Sequence, residues 1–186
     1  MNNYYIFVDE SYDNEVFVLG VVWVRSLKEV IRIKGNALKV LGKKDHNFHY
    51  SDDNEKIKSI FLTEILLSPV NYGIVLFKVP PKTCREYAKY YVSDIVRVLP
   101  LTKSLLNIYV KGLKYWISKS CNILAEAAAL GIENENAVRL RLNFNKEERA
   151  GLEVADYIAS TFRMCIRTRF EFCDELSSKV KFIYRV

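Results

Sequence analysis

No run in this sequence approaches the roughly 18 uncharged apolar residues that a membrane-spanning helix needs. Glycine and proline are also scarce, at 7 and 4 residues of 186. The first absence argues against a membrane span, and the second leaves little room for long linkers or disordered tracts. The opening MNNYYIFVDES has no basic segment followed by an apolar one, so no secretory leader is expected and the cytoplasm is the expected compartment. Cysteine is limited to Cys84, Cys121, Cys165 and Cys173, with no CxxC pair and no clustered ligand spacing. In a mesophile's cytosol these are expected as reduced thiols, and only a thermophile's cytosol makes a disulfide plausible. Histidine is limited to His46 and His49, in the loop KKDHNFHYSDD. No Cys or acidic cluster accompanies them to complete a zinc set.

What is present is an ordinary globular composition, 50% hydrophobic and 27% charged, at a length that fits one domain over 1–186. The formal net charge is +6. A basic balance favours polyanionic partners, nucleic acid first, through counterion release. Charge alone does not choose among them.

Tyr4 to Val8 is β-branched and aromatic and reads as a strand ending at Asp9-Glu10, with turn chemistry in Ser11-Tyr12-Asp13-Asn14. EVFVLGVVWV, from Glu15 to Val24, is a second strand whose nearly unbroken apolar run predicts that both faces are covered. Helical periodicity follows over Leu27 to Leu41. A second helix is capped by Asp52 or Asp53, striped by Ile57, Ile60, Phe61, Ile65 and Leu66, and stopped by Pro69. The two make a helical insertion over 27–68. The chain then alternates: a strand from Asn71 to Val79, a helix from about Lys82 to Val98, a strand from Leu105 to Val110, a helix from about Lys114 to Leu130, a strand from Ala137 to Leu142, and a helix from about Lys146 to Arg167. In the tail, 170–186, the alternation of Val180, Phe182, Tyr184 and Val186 fits an edge strand or a packed extended segment. This order predicts an α/β fold, a mixed sheet covered by helices.

Two acids stand out. Strand alternation turns Asp9 toward the face of Tyr5 and Phe7, and Glu10 toward that of Ile6 and Val8. Asp9 therefore emerges from a buried row, where a carboxylate can hold a hard cation; the plainer reading is a turn acid. Asp156, in GLEVADYIAS, lies on or beside the apolar stripe Leu152, Ala155, Ala159, Phe162 and Ile166. A carboxylate there costs several kcal/mol unless it is paired, hydrogen-bonded or metal-bound. Ala155 and Ala159 beside it are small enough for the helix to approach the sheet closely. Glu153, three residues earlier, is a second ligand or a solvated acid, with the balance toward solvated. Basic residues gather at Arg139 with Arg141, at Lys111 with Lys114, and at Arg163, Arg167 and Arg169, either as solvated faces or as phosphate contacts, with Tyr109 and Tyr115 as stacking partners.

YYIFVDESYD followed by FVLGVVWV resembles the opening of the RNase H-like family called DUF 3800, whose members begin with a strand ending Asp-Glu-Ser-Gly. FHYSD around His49 is similar to the family's short His-containing motif, and GLEVADYIAS to its Leu-Gln-x-Ala-Asp-x-Ile-Ala helix. The resemblance implies an RNase H-like mixed five-stranded sheet with a helical insertion after the second strand. It also implies a nuclease that hydrolyses phosphodiester bonds of RNA, DNA or a hybrid with two Mg²⁺ or Mn²⁺ ions. Carried over by position, Asp9 and Asp156 are the metal ligands, with Glu10 or Glu153 assisting. Lys111, Lys114, Arg139, Arg141, Arg163 and His49 are the expected nucleic-acid contacts. The sequence departs from the family at Tyr12, in place of Gly, and at Glu153, in place of Gln. Lys111 stands where RNase H-like enzymes usually place a fourth-strand Asp, and Glu10, Glu153 or Glu86 would have to compensate. The alternative is a catalytically impaired module that binds nucleic acid or a protein without hydrolysis. A structural protein joined through an edge strand is a third and weaker reading.

Overall fold

The computed structural model describes residues 1–111, 121–130 and 136–186. Strand β1 spans Asn2–Tyr12 and β2 spans Phe17–Val24. Asp13 closes the hairpin, its Oδ1 accepting the backbone N–H groups of Glu15 and Val16 at 2.8 and 3.1 Å. Because the turn forms there and not at Ser11, β1 does not end at Asp9-Glu10. Both acids lie within the strand, paired with Gly20 and Leu19 of β2. All of β2 is buried, as its apolar run on both faces implies.

The remaining strands are β3 (Asn71–Phe77), β4 (Ser104–Val110), β5 (Ala137–Arg141) and β6 (Ile183–Arg185). They form one mixed sheet in the order β5-β4-β1-β2-β3-β6. The β1–β2 and β2–β3 pairs are antiparallel, and the β1–β4, β4–β5 and β3–β6 pairs are parallel. The sheet has six strands where five were expected, because the tail adds β6 beside β3. Phe182, just before β6, fills the space that a side chain at Gly73 would occupy and stacks on Trp23.

Helix α1 (Leu27–Leu41) opens with a capping box from Ser26 and Glu29 and ends on Gly42 at φ 65°. Helix α2 (Glu55–Leu67) is capped by Asn54. Asp53 does not cap it, since its carboxylate is taken by the His46 ring, the His49 N–H and the Tyr157 hydroxyl. Helix α3 runs from Cys84–Ala88 through a π turn at Lys89–Ser93 into Asp94–Val98. Helix α4 is Ile123–Ala129; its expected start at Lys114 lies outside the described residues. Helix α5 (Lys146–Arg167) has the expected boundaries and a capping box from Asn145 and Glu148. Helix α6 (Phe172–Lys179) was not foreseen, because FCDELSSK offers only Cys173 and Leu176 for burial.

Helices α1, α2, α5 and α6 cover the sheet face carrying Phe7, Val18, Val22 and Tyr109. Helices α3 and α4 cover the opposite face, with Ile6, Val8, Leu19, Val21 and Ile108. Among the described residues no helix is long and apolar enough to cross a membrane.

The cysteines depart from the expectation of reduced thiols. Cys84 at the start of α3 is bonded to Cys121 just before α4, and Cys165 near the end of α5 to Cys173 in α6. Packing of α3 against α4, and the fold-back of α6 on α5, bring together residues whose separations of 37 and 8 carry no sequence signal. Alkylation of the denatured protein without reductant is expected to add no label. Reduction should lower stability by roughly 2–4 kcal/mol per bridge in a urea titration. Free thiols at all four positions in protein purified without reductant would contradict both pairings.

Candidate functional site

The site begins with a missing side chain. Gly20 sits across from Asp9 in the β1–β2 ladder and shares its face of the sheet. A Cβ at Gly20 would lie 2.5 Å from the Ala155 carbonyl oxygen and 2.9 Å from the Ala159 backbone nitrogen, so α5 rests directly on β2. Gly151 repeats the device one turn earlier, where a Cβ would strike the Phe7 ring at 2.4 Å. The small Ala155 and Ala159 complete the close approach, which sets Asp156 beside Asp9. Both carboxylates are 6% exposed and line one open cleft of about 600 Å³.

Asp9 Oδ1 accepts the N–H of Glu10 at 3.0 Å, whereas its Oδ2 is buried without a hydrogen-bond partner among the described residues. Burial, followed by repulsion from Glu10 and Asp156, pushes the Asp9 carboxyl well above the ordinary carboxylate range. Lys111 pulls the other way. It follows β4, which ends at Val110 opposite Val8, and its Nζ lies 3.8 Å from Asp9 Oδ2. Its side chain is 43% exposed, so solvent screens much of that attraction.

Asp156 ties the long loop to the helix. Its Oδ2 accepts the Tyr50 N–H at 2.8 Å, and its Oδ1 lies 3.4 Å from Ser160 Oγ. Asp53 locks the same loop by accepting the His49 N–H at 3.0 Å and the Tyr157 hydroxyl. His49 is thereby presented at the cleft, its Nδ1 2.8 Å from Ser51 Oγ and 3.3 Å from Asp52 Oδ2. Lys58, Lys111 and Arg163 complete a basic rim. Arg163 is already engaged, donating to Ser11 Oγ at 2.7 Å and to Asp13 at 3.2 Å.

The other expected residues divide. Glu10 points to the opposite sheet face, where its Oε2 accepts the Tyr91 hydroxyl at 3.2 Å. Burial raises its carboxyl. Glu153 is not solvated: it is buried and ion-paired with Lys34 at 2.8 Å, which turns it from the acid pair. Glu86 is used in the capping box of α3, its Oε2 accepting the N–H groups of Lys82 and Thr83. Arg139 and Arg141 are exposed on edge strand β5, aligned with Asn107 and Tyr109 and so on the Asp9 face. Lys114 and Tyr115 lie outside the described residues.

Among the described residues no group of three or more His, Cys, Asp or Glu side chains is placed to hold a metal ion. The His46–His49 pair is accordingly committed to hydrogen bonds with Asp53, Ser51 and Asp52. The donor set fits one hydrated hard cation, since Mg²⁺ usually keeps several waters and takes one or two carboxylates together with substrate phosphates. It does not fit a pair of ions. The Asp9 oxygen that lacks a hydrogen bond among the described residues is the observation that admits the single one.

Sequence reasoning passed over Gly20, Ser11, Lys58 and Lys34. Only Gly20 carried a legible signal, as a lone glycine inside the β-branched run FVLGVVWV, which marks a close backbone approach. No family model, no curated protein and no solved structure matches this chain.

Two outcomes follow from this geometry. Gly20→Ala forces a methyl against α5 backbone, so a loss of about 2 kcal/mol or more is expected in urea unfolding; an unchanged midpoint would contradict the close approach. Asp9→Asn should raise stability by about 1 kcal/mol at neutral pH without metal. A carboxyl whose folded pKa is raised costs stability as pH climbs through that value, so the gain should vanish below the ordinary carboxylate range. If Asp9 were a structural turn acid, the substitution would destabilise instead.

Proposed function

We propose that this chain is an RNase H-like phosphodiester hydrolase acting on nucleic acid, with a single Mg²⁺ or Mn²⁺ held between Asp9 and Asp156. The observation that carries this reading is the buried Asp9 oxygen, without a hydrogen bond among the described residues, in a cleft that also holds Asp156. An arrangement that gathers repelling carboxylates where they are buried lowers stability, and such arrangements cluster at functional sites. Support also comes from a mixed sheet with a helical insertion after the second strand, and from an Asp of the first strand and an Asp of the last long helix that line one cleft.

The cation supplies charge neutralisation for the phosphoryl oxygens and lowers the pKa of a bound water. The chain's own residues do the rest. Asp9 and Asp156 bind the cation in carboxylate form. Lys58 and Lys111 face the phosphate from the rim, and Lys111 contributes positive charge at the fourth-strand position where a further acid was expected. His49, with Nδ1 occupied by Ser51 and Asp52, offers Nε2 to a phosphate oxygen.

One observation favours a second reading, a nucleic-acid-binding module without hydrolysis. Lys111 Nζ, 3.8 Å from Asp9, already supplies a positive charge to that carboxylate.

Calorimetric titration of Mn²⁺ and cleavage of labelled RNA, DNA and hybrid oligonucleotides separate the two. Hydrolysis predicts one Mn²⁺ per chain, lost in Asp9→Asn and in Asp156→Asn, and cleavage reduced at least a hundredfold in both, a loss of about 3 kcal/mol of transition-state stabilisation. Because Asp9 holds its proton tightly, Mn²⁺ affinity should fall as pH is lowered through its raised pKa. Oligonucleotide binding that persists in EDTA, with no cleavage under either metal, would overturn the hydrolase in favour of the binding module.

A further inference from the structure

Glu10 and Tyr12 line two clefts at once. On one side they border the acid pair. On the other face of the sheet they join Phe17, Pro80, Pro81, Tyr87 and Tyr91 around a smaller cleft of about 180 Å³. A drug-sized or peptide ligand usually occupies about 300 Å³ or more. This cleft therefore has room for little more than one flat ring. Its walls are built for stacking: Tyr12 lies nearly parallel to Phe17 with centroids 5.8 Å apart, and Tyr87 to Tyr91 at 6.0 Å. Tyr12 is 52% exposed even though it stacks on Phe17, so much of its ring stays open to solvent.

The charged group in the cleft is the Glu10 carboxylate, which shares the lining with three tyrosines. Its Oε2 accepts one hydrogen bond, from Tyr91, and a carboxylate has acceptor capacity for several. It suits a flat ring that carries an amino group. Unpaired cytosine, adenine and guanine each present such an amino donor, whereas unpaired thymine and uracil present one ring N3–H flanked by two carbonyl oxygens that a carboxylate repels.

We propose that this cleft binds one unpaired, amino-bearing nucleobase of a strand whose adjoining phosphate lies at Asp9 and Asp156. The inference rests on the phosphodiester reading above and deepens it. It makes single-stranded or locally opened nucleic acid the substrate, since a base within a duplex cannot enter between the rings. Continuity carries the assignment: Glu10 and Tyr12 of β1 line both clefts, so the two adjoin along that strand.

The test is fluorescence anisotropy with short labelled oligo(dC), oligo(dT) and a blunt duplex, in Ca²⁺. Oligo(dC) should bind about tenfold tighter than oligo(dT), and the duplex more weakly than either. Glu10→Gln, which keeps shape and the Tyr91 contact, should bring the two homopolymers to similar affinity. Tyr12→Ala, at an exposed ring, should weaken both about tenfold. Mn²⁺ titration of the same variants should be unchanged for Tyr12→Ala. Equal binding of the homopolymers with no effect of Tyr12→Ala would overturn the base site and leave the phosphodiester reading standing. Absence of all oligonucleotide binding by a protein that still takes up Mn²⁺ would remove the base site and the nucleic-acid partner together, and leave the cation site.

Discussion

The contact on which the rest depends is backbone against backbone, where α5 lies on β2 at Gly20. A helix normally stands off a sheet by the length of two side chains, which is too far for short carboxylates on the two layers to share a ligand. Removing the Cβ at Gly20 and keeping Ala155 and Ala159 small closes that gap. The β1–β2 register then does the placing: Gly20 is paired with Asp9, so the point of closest approach is beside the acid on β1. Asp156, next to Ala155, is delivered there by the same contact. Gly151 on Phe7 holds the helix at a second point, which fixes its tilt as well as its distance.

Charge on this scaffold is sorted into partnered and unpartnered groups. Glu153, one turn before Asp156, is neutralised by Lys34. Asp53 is surrounded by the donors of the loop it closes. Asp13 is met by Arg163 and Arg167. Among the described residues the Asp9 Oδ2 oxygen is buried with no hydrogen bond, as is Glu153 Oε2, but Asp9 differs in lying near two other carboxylates. Glu153 has Lys34 at 2.8 Å, whereas the Lys111 ammonium stands 3.8 Å from Asp9. Lys111 moderates the repulsion at Asp9 from the rim.

Much of this was legible because it depends on local rules. Alternation along β1 separated Asp9 from Glu10, and the structure puts them on opposite faces, one toward Asp156 and one toward Tyr91. The 3.6-residue period put Asp156 on or beside the inner stripe of α5, and the boundaries of α1 and α5 agree with the helical stretches read from their apolar positions. What escaped depends on pairings between distant segments. Lys34 and Glu153 are 119 residues apart, and each alone reads as a surface charge. The disulfides join residues with no motif spacing. The length of β1 was misjudged because Ser11-Tyr12 has turn composition, while the turn itself is fixed one step later by the Asp13 side chain. The sixth strand needed knowledge of which edge the tail would meet.

Anomalous diffraction from a crystal soaked in Mn²⁺ tests the central claim most directly. A single peak within about 2.2 Å of oxygens from both Asp9 and Asp156 is the predicted result, with Lys111 Nζ displaced from the Asp9 oxygen. A Mn²⁺-soaked crystal with no peak between the two carboxylates, and Lys111 still against Asp9, would contradict it.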